Sequence, residues 1–334
     1  MHRTYNMLKR VTISTKRKPI HYLNIYPYLS AKTPSRFQSQ TTTPVDTFQQ
    51  WKSTSLSQVN VETDIITPSI CQLMALVLNR KNISLPEAGT LLPPNWHLAF
   101  FPPRYRQEDL SSDGYEACFR PPEPFRRRMW ASGALHLVDS NPITVGQKVT
   151  MTTKCQDISV LNGSQGETVL VTLEKDLTNE HGLSAKDVRC LAYMRAPEHT
   201  NNNETRGIKA RRQPDFSKII NPTSVMIFRY SALTFNTHLI HYDHNYAKNI
   251  EKYPACLVQG PLTTTLLLEL LGENLPSNKY IKLFTYRALH PMYVNEPFTI
   301  CGKQSNCGES YELWAVNQHG HLTMKGTSEI GTVV

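Results

Sequence analysis

Two stretches of the chain alternate hydrophobic and polar residues, and each contains a turn signal. The first is "MTTKCQDISVLNGSQGETVLVTLEKDL" (151–177), and the second is "ESYELWAVNQHGHLTMKGTSEI" (309–330). Period-two alternation predicts half-buried β-strands. Asn162-Gly163 and His319-Gly320 are the expected hairpin turns. Ahead of each stretch lies a run too apolar to be amphipathic. In "GPLTTTLLLELLG" (260–272) the apolar residues surround the segment, which predicts a helix buried on nearly all sides. Pro261 suits its first turn and Gly272 the position past its end. Three successive threonines oppose a helix here, so burial has to override propensity. The expected counterpart in the first half is "LPPNWHLAFF" (92–101).

The order of elements repeats. "GALHLVDSNPITVGQKV" (133–149) resembles "RALHPMYVNEPFTICGK" (287–303), and strand-like sequence follows both. One buried helix followed by antiparallel strands, made twice, predicts an α+β layer architecture. Between the copies, residues 195–220 are polar and Asn-rich, as expected of a linker or surface loop.

Length and charge refine this picture. A chain of 334 residues accommodates two domains. Its net charge of +9 invites a nucleic-acid reading. The excess, however, sits in residues 1–45, which hold eight Lys and Arg and no Asp or Glu. The remaining 28 basic residues face 27 acidic ones. A basic, acid-free, hydroxyl-rich leader reads as an organelle transit peptide, with a disordered basic arm as the other reading. No apolar run reaches the roughly 18 residues that span a bilayer. Seven irregularly spaced cysteines without a CxxC pair argue for reduced thiols.

Chemistry concentrates in "TFNTHLIHYDHNYA" (234–247), which places His238, His241 and His244 three apart. Three readings stand. A metal site could add Asp243, but the spacing matches no established ligand motif. A polar surface turn needs no chemistry at all. Acid–base work suits histidine, whose ordinary pKa lies near neutrality, with Asn236 able to orient a hydroxyl or water but not to ionise. His238 and His244 read as polar loop groups and Asp243 as a turn cap. His97 and His136, isolated among apolar residues, read as core or rim histidines. Arg126, Arg127 and Arg128 form a basic cluster beside Trp130, read as a solvated face or a dock for an acidic carrier protein.

This motif, followed by "YPACLVQGPLTTTLLLELL", resembles the double hot-dog dehydratases and hydratases of the MaoC-like group, in particular fungal mitochondrial hydroxyacyl-thioester dehydratase type 2. "LPPNWHLAFFPP" and "PPEPFRRRMWASGALHL" extend the resemblance into the first half, over roughly residues 60 to 330. The group's motif runs Ser/Thr-Gly-Asp-x-Asn-Pro-x-His, with a small residue six positions later. Thr234, His241 and Ala247 match it. Phe235 stands at the glycine, Asn236 at the catalytic aspartate, His238 at the asparagine and Leu239 at the proline.

The resemblance implies a double hot-dog, two antiparallel sheets each wrapped around a buried helix. Its expected parts are a transit peptide (1–45), an N-terminal hot-dog (46–200), a linker (201–220) and a C-terminal catalytic hot-dog (221–334). His241 inherits the catalytic role, with Asn236 placing the substrate oxygen. The Gly260 N–H, at the start of a buried helix, would stabilise charge on a thioester carbonyl; Gln259 replaces the histidine common before it. Arg229, Thr234 and Trp130 are the expected substrate contacts. The implied function is removal of water from (3R)-3-hydroxyacyl groups on acyl carrier protein in mitochondrial fatty-acid synthesis. Hydration of enoyl-CoA or mesaconyl-CoA thioesters, and a non-catalytic acyl-chain-binding protein, remain open. No cofactor, metal or nucleic acid is implied, no membrane span is expected, and a homodimer is left open.

Overall fold

The computed structural model describes residues 44–163, 166–195, 207–306 and 308–332. The leader read as a transit peptide lies almost wholly outside them. The first half contains α1 (Pro44–Ser57), β1 (Val59–Ile65), α2 (Pro68–Val77), β2 (Arg127–Leu137), β3 (Lys148–Gly163), β4 (Gly166–Asn179) and β5 (Gly182–Met194). The second contains β6 (Phe216–Ile220), α3 (Ser224–Leu233), α4 (Gly260–Asn274), β7 (Lys279–Ala288), β8 (Phe298–Gln304), β9 (Ser310–Asn317) and β10 (Leu322–Thr332).

The strands form one antiparallel sheet in the order β1-β3-β4-β5-β2-β7-β10-β9-β8-β6. The order from β1 to β2 is the order from β6 to β7 read outward from the centre, so the duplication expected from sequence is present as topology. The letters that matched are out of step with it. Ala134-Leu135-His136 lies inside β2, whereas Ala288 ends β7. Pro297 immediately precedes β8, whereas Pro142 lies in the loop ahead of β3. The two five-stranded halves are not separate sheets. β2 and β7 pair antiparallel, from Ser132 opposite Arg287 to His136 opposite Leu283.

α4 is the predicted buried helix. Leu262 to Leu271 are all buried. Its threonines satisfy their hydroxyls within the first turn, Thr264 and Thr265 both donating to the Pro261 carbonyl at 2.8 Å. The helix continues past Gly272 to Asn274. Its one buried charge, Glu269, accepts from Arg80 (Nη2, 2.7 Å) and from Trp96 Nε1 (2.9 Å).

The counterpart expected at 92–101 is not a helix. Pro93 and Pro94 supply no N–H, Asn95 takes a left-handed φ of 71°, and only the short turn Trp96–Ala99 forms. The segment instead reaches across to α4, where Asn95 Nδ2 donates to Thr264 and Thr265 (3.0 and 2.7 Å). The helix of the first half is α2, ahead of this segment. The Gln318–Gly320 turn joins β9 to β10, with Gly320 at φ 75°. Asn162 and Gly163, expected to make a turn, are instead the last residues of β3, paired with Glu167 and Gly166 of β4. Within the expected linker, Phe216–Ile220 forms β6 and pairs with β8.

Candidate active site

The end of α3 fixes the first functional group. Thr223 caps the helix start, accepting from the Met226 N–H at 3.2 Å. At the other end the Asn236 N–H donates to the Ser231 carbonyl (2.8 Å) and the Phe235 N–H to the Ala232 carbonyl (3.4 Å). This paired arrangement needs a left-handed residue at the turn. Phe235 supplies it at φ 49°, which explains the glycine at this position in the resembled motif. Asn236 Oδ1 then accepts the His238 N–H at 3.1 Å. The amide Nδ2 has no hydrogen-bond partner among the described residues, and Asn236 lines the cavity described below.

The first half holds this turn in place. The Leu239 N–H donates to the Asp113 carbonyl (2.9 Å), and the Thr237 hydroxyl donates to the Gly114 carbonyl (2.5 Å). Gly114 has φ 79°, and a Cβ there would lie 2.7 Å from the Thr237 carbonyl oxygen. Only glycine allows this approach.

His241 ends the short turn Leu239–His241 and is buried. Its Nδ1 lies 3.0 Å from the Leu257 carbonyl, which can only accept, so Nδ1 carries the proton. Nε2 keeps its lone pair and has no protein partner among the described residues. Burial lowers the pKa to about 4, with the Leu257 bond pulling the other way. The imidazole is therefore neutral and ready to accept a proton. His238 stands edge-on to it, ring centroids 5.5 Å apart, and is held well below its ordinary pKa chiefly by burial, with the neighbouring His241 and the Arg128 guanidinium opposing a second positive charge there. Because His238 is neutral, its 3.8 Å approach to Asp113 is not an ion pair.

Three residues beyond Leu257, α4 begins. Gln259 is fully buried, its Nε2 donating to the Ile227 carbonyl (3.0 Å) and Ser231 Oγ (2.9 Å), which ties the start of α4 to α3. The Gly260 N–H, among the helix's first unpaired donors, has no hydrogen-bond partner in the described residues. Trp130 from β2 packs on Gly260, so that a Cβ would meet it at 3.1 Å.

These groups share a cavity of about 150 Å³ between the halves. Asn236, His238, His241, Gly260 and Trp130 line it from the side of the chemistry. β4 and β5 contribute Leu173, Lys175, Arg189 and Leu191 from the first half.

Of the residues expected from sequence, His241, Asn236, Gly260 and Trp130 come together here. Thr234 does not line the cavity; its hydroxyl donates to the Tyr230 carbonyl (2.7 Å) and closes α3. Arg229 is exposed on α3 and does not line it either. The basic cluster dissolves. Arg128 is buried on Asp113 (3.0 Å), Arg127 lies over the Tyr253 ring (4.3 Å), and only Arg126 is exposed. Asp243 accepts the Tyr246 N–H (3.0 Å) as a turn cap, and His244 is exposed, so the three histidines do not converge. Among the described residues no cluster of His, Cys, Asp or Glu could hold a metal ion. His238, taken as a loop group, lines the cavity. Its register three residues from His241 was the signal available. Lys175 and Arg189 carried none, because only the sheet brings them to the site.

The model of the family described as hydroxyacyl-thioester dehydratase type 2 matches residues 95–294. The chain belongs to this family. A mitochondrial hydroxyacyl-thioester dehydratase type 2 of Schizosaccharomyces pombe is 32% identical over 70% of this chain and 83% of its own length. A mesaconyl-C(4)-CoA hydratase of Chloroflexus aurantiacus is 31% identical over 74% of this chain and 86% of its own. A MaoC-like dehydratase from Phytophthora capsici shares the fold with a TM-score of 0.63 at 14% identity, over 86% of this chain and 99% of that one.

Proposed function

We propose that the protein is a (3R)-3-hydroxyacyl-thioester dehydratase acting on acyl carrier protein substrates in mitochondrial fatty-acid synthesis. In this reading the chain is two hot-dogs, five strands and a helix each, with α2 and α4 as the paired helices. The observation that carries the function is the neutral His241, its Nδ1 tied to Leu257 and its Nε2 free, beside the unpaired Gly260 N–H.

The thioester carbonyl accepts the Gly260 N–H, where the start of α4 favours negative charge. His241 Nε2 removes a proton from C2. The C–H electron pair forms the C2–C3 double bond as the C3–O bond breaks. The same proton passes from His241 to the departing oxygen, which leaves as water. Asn236 Nδ2 donates to that oxygen and keeps it over the imidazole. One histidine thus serves as base and then as acid, as an amide at position 236 requires.

A second reading is hydration of a CoA thioester, favoured by the name of the Chloroflexus relative. Purified protein given one 3-hydroxyacyl group on acyl carrier protein and on CoA separates the two. A kcat/KM at least tenfold higher on the carrier protein supports the first. No turnover of either by folded protein would leave only a non-catalytic acyl-binding role. For the location, the leader is expected to be removed on import to the mitochondrial matrix, and a mature N-terminus at Met1 would contradict that.

A further inference from the structure

The cavity reaches a split in the sheet where the two halves part. β2 and β7 pair from Ser132 opposite Arg287 to His136 opposite Leu283, and ahead of Ser132 β2 keeps only β5 as its neighbour. Met129 on one side of this split and residues 288–291 on the other line the cavity. Arg287 stands on the last rung before it. Tyr286 and Met324 are buried in the core with α4, so their chain neighbours Arg287 and Lys325 point to the opposite face of the sheet, where both are exposed.

On that face a groove of about 1230 Å³ is bounded by β7, β9, β10 and the segment 207–212. The segment is tied to β10 by the Leu322 N–H, which donates to the Ile208 carbonyl at 2.8 Å. The charge of the groove is one-sided. Lys209, Arg211, Arg212, Arg287 and Lys325 line it against a single acid, Glu312, which Arg212 holds. Among the described residues no carboxylate lies within 4 Å of the other four cations. Arg287 and Lys325 are direct partners in the β7–β10 register, an arrangement of like charges that costs a sheet stability. Beyond residue 45 the chain holds 28 basic residues against 27 acidic ones, so this groove is a local excess and not a general one.

On the reading of the site given above, we propose that this groove is the docking surface for the acidic carrier protein that delivers the thioester. Arg287 and Lys325 flank the split through which the arm of the carrier protein reaches Gly260 and His241. The unpaired cations complement an acidic surface, raise the rate of encounter and set the orientation of the carrier protein over the split. Trp314 and Leu322, which also line the groove, add apolar contact. One face of the sheet thus holds the chemistry and the other receives the partner.

The test presents one 3-hydroxyacyl group on acyl carrier protein, on CoA and on N-acetylcysteamine, which carries neither protein nor phosphate. Arg287→Glu combined with Lys325→Glu is expected to lower kcat/KM on the carrier protein at least about tenfold, through KM, because it sets like charges against an acidic partner. The N-acetylcysteamine thioester should stay within about twofold. Arg287→Gln combined with Lys325→Gln should fall between wild type and the charge reversal. Lys154→Glu, on β3 and outside the groove, should change neither substrate. Added salt should slow wild-type turnover of the carrier-bound substrate more than that of the double reversal. An equal loss on all three thioesters, or no loss on the carrier protein, would overturn the proposal. A loss as large on CoA as on the carrier protein would assign the cations to the phosphates of the arm and overturn it too. If folded wild-type protein turned over none of the three, or the CoA thioester but not the carrier-bound one, the reading of the site itself would fail, an outcome distinct from variants that leave carrier-protein turnover unchanged.

Discussion

The two halves share a strand order but put different things on their inner faces. In the second half α4 carries ten consecutive buried residues. In the first half the shorter α2 buries only Cys71, Met74, Ala75 and Val77, and His97, Asp187, Arg189 and Lys175 gather instead into a polar cluster. On the proposed reading, one copy supplies the helix start and the histidine for chemistry. The other supplies the loop at Asp113–Gly114 that clamps the turn carrying Asn236 and His241, and the opposite wall of the cavity.

The sharpest way to break this division is to remove one buried histidine from each half. His241→Ala should lower kcat at least about a hundredfold, as expected for a positioned acid–base group. His97→Ala should stay within about tenfold, because Asp187 keeps Arg189 as its partner. It should instead lower the thermal midpoint. Comparable kcat losses in two folded variants would end the asymmetry.

Much of this asymmetry was legible in the sequence, but not all. α4 was visible because its apolar residues encircle the axis and Pro261 marks its start. His241 was visible through a motif that runs along the chain. The segment 92–101 misled because proline followed by apolar residues describes a helix start as well as it describes a crossing strap, and Asn95's bonds to α4 are not local. Lys175 and Arg189 sit on strands where charge usually means solvent. Only the pairing of β4 with β5, and the absence of a long helix over them, turns them inward. Arg128 shows the converse: three adjacent arginines read as a surface patch, yet alternation along β2 buries one of them.

Acid should strain both halves at once. Burial holds His241, His238 and His97 below the ordinary value of 6.5. Once pH falls beneath 6.5, the unfolded chain binds protons that the native state does not, so stability falls with falling pH. For His241 the loss runs from pH 6.5 down to about 4. Each histidine contributes at most about 1.4 kcal/mol per pH unit in its window. Urea unfolding at pH 7, 6 and 5 measures the slope, and His97→Gln should flatten it. A slope unchanged by His97→Gln would mean that Asp187 keeps His97 protonated in the native state.

Asn236 tests the second half alone. Asn236→Ala removes the acceptor for the His238 N–H and, on the proposed mechanism, one hydrogen bond to the substrate oxygen, and should cost about tenfold in kcat. Asn236→Asp keeps the acceptor for the His238 N–H and adds a negative charge beside two neutral imidazoles. That charge should raise the pKa of His241 and move the acid limb of the kcat/KM profile upward. An unmoved limb would show that residue 236 does not face His241.

The smallest effect concerns the turn that presents Asn236. Phe235 holds φ 49° with its side chain 53% exposed. A left-handed conformation costs a residue with a Cβ about 1–2 kcal/mol, while glycine adopts it freely. Glycine gives part of this back through the larger entropy of its unfolded chain, about 0.5–1 kcal/mol. The exposed ring has little burial to lose. Phe235→Gly should therefore stabilise the protein by up to about 1 kcal/mol, a rise of about 2 °C in the thermal midpoint for a domain of this size. Activity should hold, since the bonds from the Phe235 and Asn236 N–H groups to α3 come from the backbone. Calorimetry and turnover on the same preparation decide the matter. A lower midpoint would mean that the Phe235 ring is covered in solution, by a second copy or by a carrier protein, and that the exposed end of α3 belongs to an interface.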